Sequence, residues 1–156
     1  MAYGCQVDNH VTNFRGKYFF LSNFYPCRVD DFPTAEHAYQ ANKTDNPSIR
    51  QEIRRASSPG AAKRLAHKRL ARATSAFYAH KTDIMLSVVR KKFGQNSELA
   101  GRLLETGDAE LIEANGWKDR FWGTDLNLVG ENNLGKLLME RRAAIKAEWA
   151  PRADDV

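Results

Sequence analysis

The sequence PTAEHAYQANK, residues 33–43, decides the fold around it. Thr34 is a favourable N-cap residue, and the residues after it are mostly good helix formers, with no glycine or proline. On a helix, Glu36, Gln40 and Lys43 lie at positions i, i+4 and i+7 and project from one face. A face that carries an acid, an amide and an amine does not suit an apolar core unless it lines a cavity. The spacing therefore indicates a candidate site.

The same residues also suit an ordinary solvated helix. Glu36 in the first turn and Lys43 near the C-terminal end each complement the helix dipole, by about 0.3–1 kcal/mol. Seven residues of helix rise about 10.5 Å, so the two side chains do not form a simple ion pair. Helix chemistry alone leaves both interpretations open.

The length and composition are those of one soluble globular domain. The chain has 156 residues, 42% hydrophobic and 28% charged, which is enough to bury a sizeable core. No apolar run approaches the length of a membrane span and the N-terminus lacks a signal-peptide core, so we expect a cytoplasmic protein without a membrane partner. The expected organisation is an N-terminal extension over 1–12, a folded domain over 13–149 and a flexible tail over 150–156.

Positive charge is concentrated in the middle of the chain. Residues 50–102 hold 13 Lys and Arg against 3 Asp and Glu, a local charge of +10, whereas the whole chain carries +5. Such a region attracts polyanions such as phosphates or nucleic acid. It is equally consistent with a set of solvated helix faces.

The aromatic-rich stretch before the helix, residues 13–26, predicts one or two short strands with loops that continue to residue 30. Most of its Phe and Tyr side chains are expected in the core. Ser22 and Asn23 differ because they interrupt an apolar run, and buried polar groups need partners in a turn or in a ligand.

Helical patterns dominate the rest of the chain. Ser58 and Pro59 are a strong helix start, with the serine as N-cap and the proline at the first helical position. The core-facing stripe of the last helix is expected to consist of Leu134, Leu137, Leu138, Ile145 and Trp149. Residues 109–115 fit a strand or a helix equally well. Further helices are predicted over residues 49–56, 60–70, 77–93, 97–104 and 134–149.

None of the standard motifs of catalysis or cofactor binding occurs in the sequence. It lacks GxGxxG, HExxH, GxSxG and CxxC, and its two cysteines have neither metal-ligand spacing nor the density of a disulfide framework. Residues 130–136 match the first seven positions of a P-loop, but Leu137 stands where a Ser or Thr would hold magnesium. We expect no metal and no cofactor.

Several segments, taken in order, resemble the NADAR family over residues 14 to about 142. The resemblance implies a mainly α, single-domain helical fold with a few short N-terminal strands and a pocket for ADP-ribose or a ribose phosphate. The matching segments include LSNF at 21–24, TAEHAYQA at 34–41 with Lys43, SP at 58–59, KF at 92–93, LLETG at 103–107, WG at 122–123, LG at 134–135 and LME at 138–140.

The resemblance also implies an activity, because NADAR proteins cleave N-glycosidic bonds. Some act on ribosylamino-pyrimidine phosphate intermediates of riboflavin biosynthesis, and others remove ADP-ribose from guanine in nucleic acid. We therefore expect an N-glycosidase, a hydrolase acting on N-glycosyl compounds, and the +10 region favours ADP-ribosylated DNA or RNA as its partner. The alternatives are a riboflavin-intermediate hydrolase and a module that binds ADP-ribose or nucleic acid without catalysis.

Site residues follow from the same resemblance, one position at a time. The expected catalytic residues are Glu36, Lys43, Asp119 and Trp122. Glu36 matches the motif glutamate and is the expected general acid or base. Lys43 matches the motif lysine; its neutral amine could open the ribose as a Schiff base, and otherwise it binds phosphate. Asp119 and Trp122 match the acidic and aromatic positions of a late loop, although Trp122 alternatively packs in the core. Residues 124–129 are variable and leave the base specificity open. The residues expected to bind substrate are Arg15, Gly16, Ser22, Asn23, Phe24, Gln40, Lys63, Gly123, Asn132 (which alternatively caps the last helix) and Gly135.

Overall fold

Thr34 starts the helix around which the other elements pack. Its hydroxyl oxygen accepts a hydrogen bond from the backbone N–H of His37 at 3.2 Å, which confirms it as the N-cap residue. The helix, α1, covers Ala35–Ala41, and every one of its residues is buried. The helix ends two residues before Lys43, which was expected near its C-terminal end. The Asn42 side chain donates to the carbonyl of Ala38 and closes the last turn.

The computed structural model describes residues 9–70 and 75–151. The expected N-terminal extension and C-terminal tail fall largely outside the described residues, and their boundaries stay predictions. The remaining helices begin and end within about two residues of the predicted positions, because their start and stop signals are local. They are α2 (Pro47–Arg54), α3 (Pro59–Arg69), α4 (Ser75–Gly94), α5 (Ser97–Glu105) and α6 (Asn133–Trp149).

Two small sheets connect distant parts of the chain. Their strands are β1 (His10–Val11), β2 (Pro26–Val29), β3 (Phe32–Thr34) and β4 (Glu110–Leu111). β1 and β4 pair in parallel, whereas β2 and β3 form an antiparallel hairpin that leads directly into α1. Of the ambiguous segment 109–115, two residues are therefore strand. Ala114 then forms an isolated bridge with Thr124, which draws the following loop toward β4.

The aromatic-rich stretch differs from the prediction. It forms a 3-10 helix, Gly16–Leu21, where a strand was expected, and the first strand after it begins at Pro26. Gly16 has a φ of 57°, a left-handed conformation that glycine adopts without steric cost. Phe20 and Leu21 are buried side by side, whereas consecutive residues of a strand point to opposite faces. A helical turn is what allows both to reach the core.

The mainly α fold class is confirmed. α1 packs against α2, α3 and α4, and α6 packs against α4, α5 and β4. α6 buries Leu134, Leu138 and Ile145 as predicted, but Trp149 is 53% exposed. The core prediction for Trp149 is wrong because α6 continues past Ile145 into solvent, where residues 146–149 are all exposed. No helix among the described residues is long and apolar enough to cross a bilayer.

Candidate active site

A cavity of about 540 Å³ opens beside α1, and we call it the α1 cavity. Its walls come from α1, from the chain around the 3-10 helix and from the loop between β4 and α6. Most of the predicted site residues line it: Arg15, Ser22, Asn23, Phe24, Glu36, Gln40, Lys43, Lys63, Asp119 and Trp122. The others do not, namely Gly16, Gly123, Asn132 and Gly135.

Glu36 places a carboxyl group in the wall of this cavity, although the side chain is only 7% exposed. Its Oε1 accepts a hydrogen bond from Nε2 of Gln40 at 2.6 Å, one helical turn along. Burial raises the pKa of Glu36, while the Gln40 hydrogen bond acts in the opposite direction. The charges of Lys63 and Lys43 also oppose the effect of burial. Glu36 therefore holds its proton to a higher pH than an exposed glutamate does, as a general acid or base requires.

Gln40 is the second polar side chain on this face of α1. It is 2% exposed, and its Oε1 is a buried acceptor with no hydrogen-bond partner among the described residues. A buried acceptor without a partner is unfavourable by about 1–3 kcal/mol. Gln40 itself lines the α1 cavity, where its amide group holds the Glu36 carboxyl group by a hydrogen bond.

Lys43 follows α1 and is partly buried against aromatic rings. Its Nζ lies 5.5 Å from the ring centroid of Tyr39 and 5.4 Å from that of Phe77. Burial lowers the pKa of Lys43, and the positive charges of Lys63 and Lys81 lower it further. The carboxylate of Glu36 acts in the opposite direction. A lowered pKa increases the fraction of neutral amine, the form that acts as a nucleophile.

Asp119 organises the loop that carries Trp122. Its Oδ1 accepts hydrogen bonds from the backbone N–H groups of Phe121 at 3.1 Å and Trp122 at 2.9 Å. Asn115 clamps the backbone of Asp119 with two further hydrogen bonds. Trp122 then packs edge-on against Tyr39, with 5.6 Å between the ring centroids. The indole of Trp122 therefore lines the cavity and packs against α1 at the same time, so it is both a site residue and a packing residue.

Ser22 and Asn23 form the turn on another wall. The Ser22 hydroxyl oxygen accepts from the N–H of Phe24 at 3.1 Å, and its carbonyl accepts from Nζ of Lys92 at 2.8 Å. Asn23 donates to the sulfur of Met85 at 3.4 Å. Lys92 is fully enclosed, and burial lowers its pKa to about 8. The sequence contained this lysine in the KF segment but gave no reason to expect a buried amine behind the turn.

Three of the predicted residues outside the cavity wall, Gly123, Asn132 and Gly135, support it from behind. Asn132 adopts a left-handed conformation before α6, but its side chain makes no capping bond to that helix. Instead its Oδ1 accepts from the N–H of Glu113 at 3.0 Å, and its Nδ2 donates to the carbonyl of Leu111 at 2.9 Å. A Cβ at Gly135 would overlap that same Leu111 carbonyl, and one at Gly123 would overlap the carbonyl of Glu113. These residues hold residues 111–113 in place.

Residues that sequence reasoning missed also line the cavity, among them Tyr39, Glu113 and Trp117. Burial, reinforced by the negative charges of Asp119 and Glu36, raises the pKa of Glu113 to about 7. The only sequence signal was an acidic residue in a segment of ambiguous structure. No group of three or more His, Cys, Asp or Glu side chains in the described part of the chain is placed to hold a metal ion.

The fold and the α1 cavity define a mainly helical protein whose site combines buried carboxyl groups with a partly desolvated lysine. The NADAR domain model matches residues 10–146. The chain therefore belongs to the NADAR family, as its sequence segments predicted.

Proteins similar to this chain include named N-glycosidases. N-glycosidase YbiA of Escherichia coli K12 is 39% identical over 132 residues, which are 82% of this chain and 82% of that protein. The NMR structure of E. coli YbiA matches with a TM-score of 0.75 at 35% identity, covering 98% of this chain and 99% of that one. A riboflavin biosynthesis protein of Vibrio vulnificus is 39% identical over 136 residues, 85% of this chain, and the chain spans 36% of its length. The predicted enzyme class, hydrolases acting on N-glycosyl compounds, is that of the relatives of similar length.

Proposed function

We propose that the protein hydrolyses the N-ribosyl bond between a base and a phosphorylated ribose in the α1 cavity. The observation that carries this proposal is the placement of Glu36 and Lys43 on one cavity wall, with Asp119 and Trp122 lining the same space. The volume of the α1 cavity, about 540 Å³, is within the usual range of small-molecule sites. Gln40 lines the same space, and we expect it to contact the ribose.

The chemistry of the bond explains why these groups are needed. When the C1–N bond breaks, positive charge develops at C1 and negative charge on the departing base. A carboxylate near C1 stabilises the first, and a positioned acid that protonates the base accelerates the reaction by about 10²–10⁴-fold. Enzymes typically supply roughly 10⁶-fold or more. Binding, orientation and a second catalytic group must therefore contribute the rest.

Lys43 fits two roles in this reaction. Its lowered pKa suits an amine that attacks C1 and opens the ribose as a Schiff base. A lysine in a cavity next to a second cation, Lys63, also suits a phosphate group. We favour the covalent role, because Lys43 lies against Tyr39 and Phe77, and burial reduces its charge.

Among phosphorylated ribosides we favour ADP-ribose attached to guanine in DNA or RNA. Phe24 and Trp117 line the α1 cavity and remain exposed, Trp117 by 57%, which leaves ring surface to stack on a base. Arg15 and Lys63 supply positive charge at the same cavity, and residues 50–102 carry +10. A pyrophosphate within a polyanion matches this combination of aromatic and basic side chains.

Riboflavin intermediates are the second candidate. Curated relatives from Vibrio vulnificus and from Zea mays are named riboflavin biosynthesis proteins. A ribosylamino-pyrimidine phosphate presents the same elements to the cavity, a heterocyclic base, a ribose and a phosphate.

The deciding experiment offers both substrates to the purified protein and follows the released ADP-ribose or ribose phosphate by mass spectrometry. Release of ADP-ribose from a modified guanine oligonucleotide supports the first candidate, and release of ribose phosphate from the pyrimidine supports the second. Glu36→Gln should reduce turnover by about 10²–10⁴-fold, whereas the exposed Glu98→Gln should not change it. Tight binding of ADP-ribose without any turnover would leave a binding module as the function.

A further inference from the structure

A third carboxyl group, that of Glu113, lines the α1 cavity together with those of Glu36 and Asp119. Its backbone is held on both sides, because its N–H donates to Oδ1 of Asn132 at 3.0 Å and its carbonyl accepts from Thr124 at 2.9 Å. Glu113 therefore presents its side chain to the cavity from a fixed position, as a group that must meet a substrate atom requires.

The three carboxyl groups differ in their hydrogen bonds. Oε1 of Glu36 accepts from Gln40, and Oδ1 of Asp119 accepts from two backbone N–H groups. The carboxyl group of Glu113 makes no hydrogen bond or ion pair with any residue that the structure describes. Donors that point at a carboxylate stabilise its charged form. Glu113 lacks that stabilisation and is the group of the three best suited to carry a proton.

Burial and the neighbouring negative charges also favour the protonated form of Glu113. Burial raises its pKa most, and the neighbouring carboxylates of Asp119 and Glu36 raise it further. The positive charges of Lys63 and Lys92 oppose them. The resulting pKa of about 7 makes Glu113 both available as an acid at neutral pH and able to release its proton.

We propose that Glu113 is the general acid that protonates the departing base, and that Glu36 is the base that accepts a proton from the attacking water. This assignment rests on the proposed N-glycosidase function. It goes beyond that function by giving separate roles to two carboxyl groups from different elements, one on α1 and one after β4.

The reaction begins at the bond between C1 of the ribose and the nitrogen of the base. The C1–N bond breaks, its electron pair goes to the nitrogen of the base, and the Glu113 proton binds to the departing base. The neutral amine of Lys43 forms a bond to C1 as the base leaves. Water then forms the new C1–O bond while the bond between C1 and Lys43 breaks and its electron pair returns to the lysine nitrogen. The proton of this water passes to the Glu36 carboxylate. The products are the unmodified base, which stays in the nucleic acid when the substrate is an ADP-ribosylated guanine, and the sugar phosphate with a hydroxyl group at C1. Exchange with solvent then returns a proton to Glu113 and removes one from Glu36.

The test compares the pH dependence of kcat/KM for the wild-type protein, Glu113→Gln and Glu113→Asp, with turnover measured as release of ADP-ribose or ribose phosphate from the substrate that the wild-type protein cleaves. The acid must be protonated to act, so wild-type activity should fall about tenfold per pH unit above about pH 7. Glu113→Gln should lose about 10²–10⁴-fold at pH 6 and lack this alkaline limb. The difference between the two proteins should therefore shrink as the pH rises. Glu113→Asp should restore part of the activity together with an alkaline limb.

Glu110→Gln is the matched control, because Glu110 lies on β4 at the surface, where it pairs with His10. It should keep the wild-type rate and pH profile. If Glu113→Gln keeps a wild-type alkaline limb while the wild-type protein is active, Glu113 is not the acid and the proposed function still stands. If the Glu113→Gln variant is less active but keeps the alkaline limb of the wild-type protein, the role of Glu113 is structural. If the wild-type protein cleaves none of the candidate substrates, the proposed function fails and this assignment fails with it.

Discussion

Nε2 of Gln40 donates to Oε1 of Glu36 at 2.6 Å, across one turn of the buried helix α1. The two side chains form a unit, because the amide stabilises the carboxylate that burial disfavours. The remaining amide oxygen is buried without a partner among the described residues, and Gln40 lines the α1 cavity. Gln40 thus holds down the pKa of a carboxyl group in the cavity wall.

Replacing Gln40 with leucine should move the pH profile of the enzyme in a defined direction. The hydrogen bond holds the pKa of Glu36 down, so its loss raises that pKa. A hydrogen bond to a charged group contributes about 1.5–3 kcal/mol, which corresponds to roughly 1–2 pH units. With Glu36 in its proposed role as the base, the acid limb of kcat/KM should shift upward by about that amount. An acid limb at the wild-type position would show that Glu36 does not titrate in the reaction.

Lys43→Arg separates the two roles of Lys43. Arginine keeps the positive charge that binds a phosphate but provides no neutral amine at accessible pH. Activity should therefore fall by at least about 10²-fold if the amine attacks C1, and little if Lys43 only binds phosphate. Lys91→Arg is the control, since Lys91 pairs with Asp30 at the surface.

Borohydride reduction during turnover gives a direct measurement of the same step. A Schiff base on Lys43 would be trapped as a stable adduct, and mass spectrometry of the digested protein would locate it. We expect the adduct in the wild-type protein and its absence in Lys43→Arg. An unmodified wild-type protein under active turnover would assign Lys43 to phosphate binding.

Local rules account for what the sequence predicted of the site. The i, i+4 and i+7 spacing placed Glu36, Gln40 and Lys43 along one wall, and the Thr34 cap located the start of the helix. Both depend only on residues within about two turns of one another. The spacing of these residues could not predict that a cavity lies opposite that face. The expectation that Asp119 and Trp122 lie there came from the family resemblance, and the structure places both in the lining.

Long-range contacts account for what the sequence did not predict. Lys92 is buried against the carbonyl of Ser22, a partner 70 residues earlier in the chain. Glu113 owes its position to Asn132, 19 residues later. Neither burial nor a pKa shift follows from the types of the adjacent residues, because desolvation depends on how distant elements pack. Trp149 shows the opposite error, since an apolar residue in phase with a core stripe still lies outside the core.

Lys92→Met should weaken ligand binding without removing any group from the cavity wall. The ammonium group donates to the Ser22 carbonyl at 2.8 Å and thereby fixes the turn that presents Ser22 and Asn23. Methionine fills a similar volume but cannot donate, so the turn loses its anchor. We expect the Kd for ADP-ribose, measured by calorimetry, to rise by about tenfold, a change of about 1.4 kcal/mol. An unchanged Kd would mean that the turn holds its shape by itself.

Gly135→Ala and Gly101→Ala should have opposite effects on stability. A Cβ at Gly135 would overlap the Leu111 carbonyl and the Asn132 side chain, whereas one at Gly101 in α5 meets nothing within 4 Å. Overpacking typically destabilises by about 1–3 kcal/mol, and alanine in place of glycine within a helix stabilises by about 0.4–1 kcal/mol. Urea denaturation of both variants measures the two changes. Because Leu111 and Asn132 position Glu113, Gly135→Ala should also reduce turnover, at a temperature where the variant remains folded. Equal stability of Gly135→Ala and the wild-type protein would show that β4 and α6 separate without cost, and would weaken the case that they hold Glu113 in place.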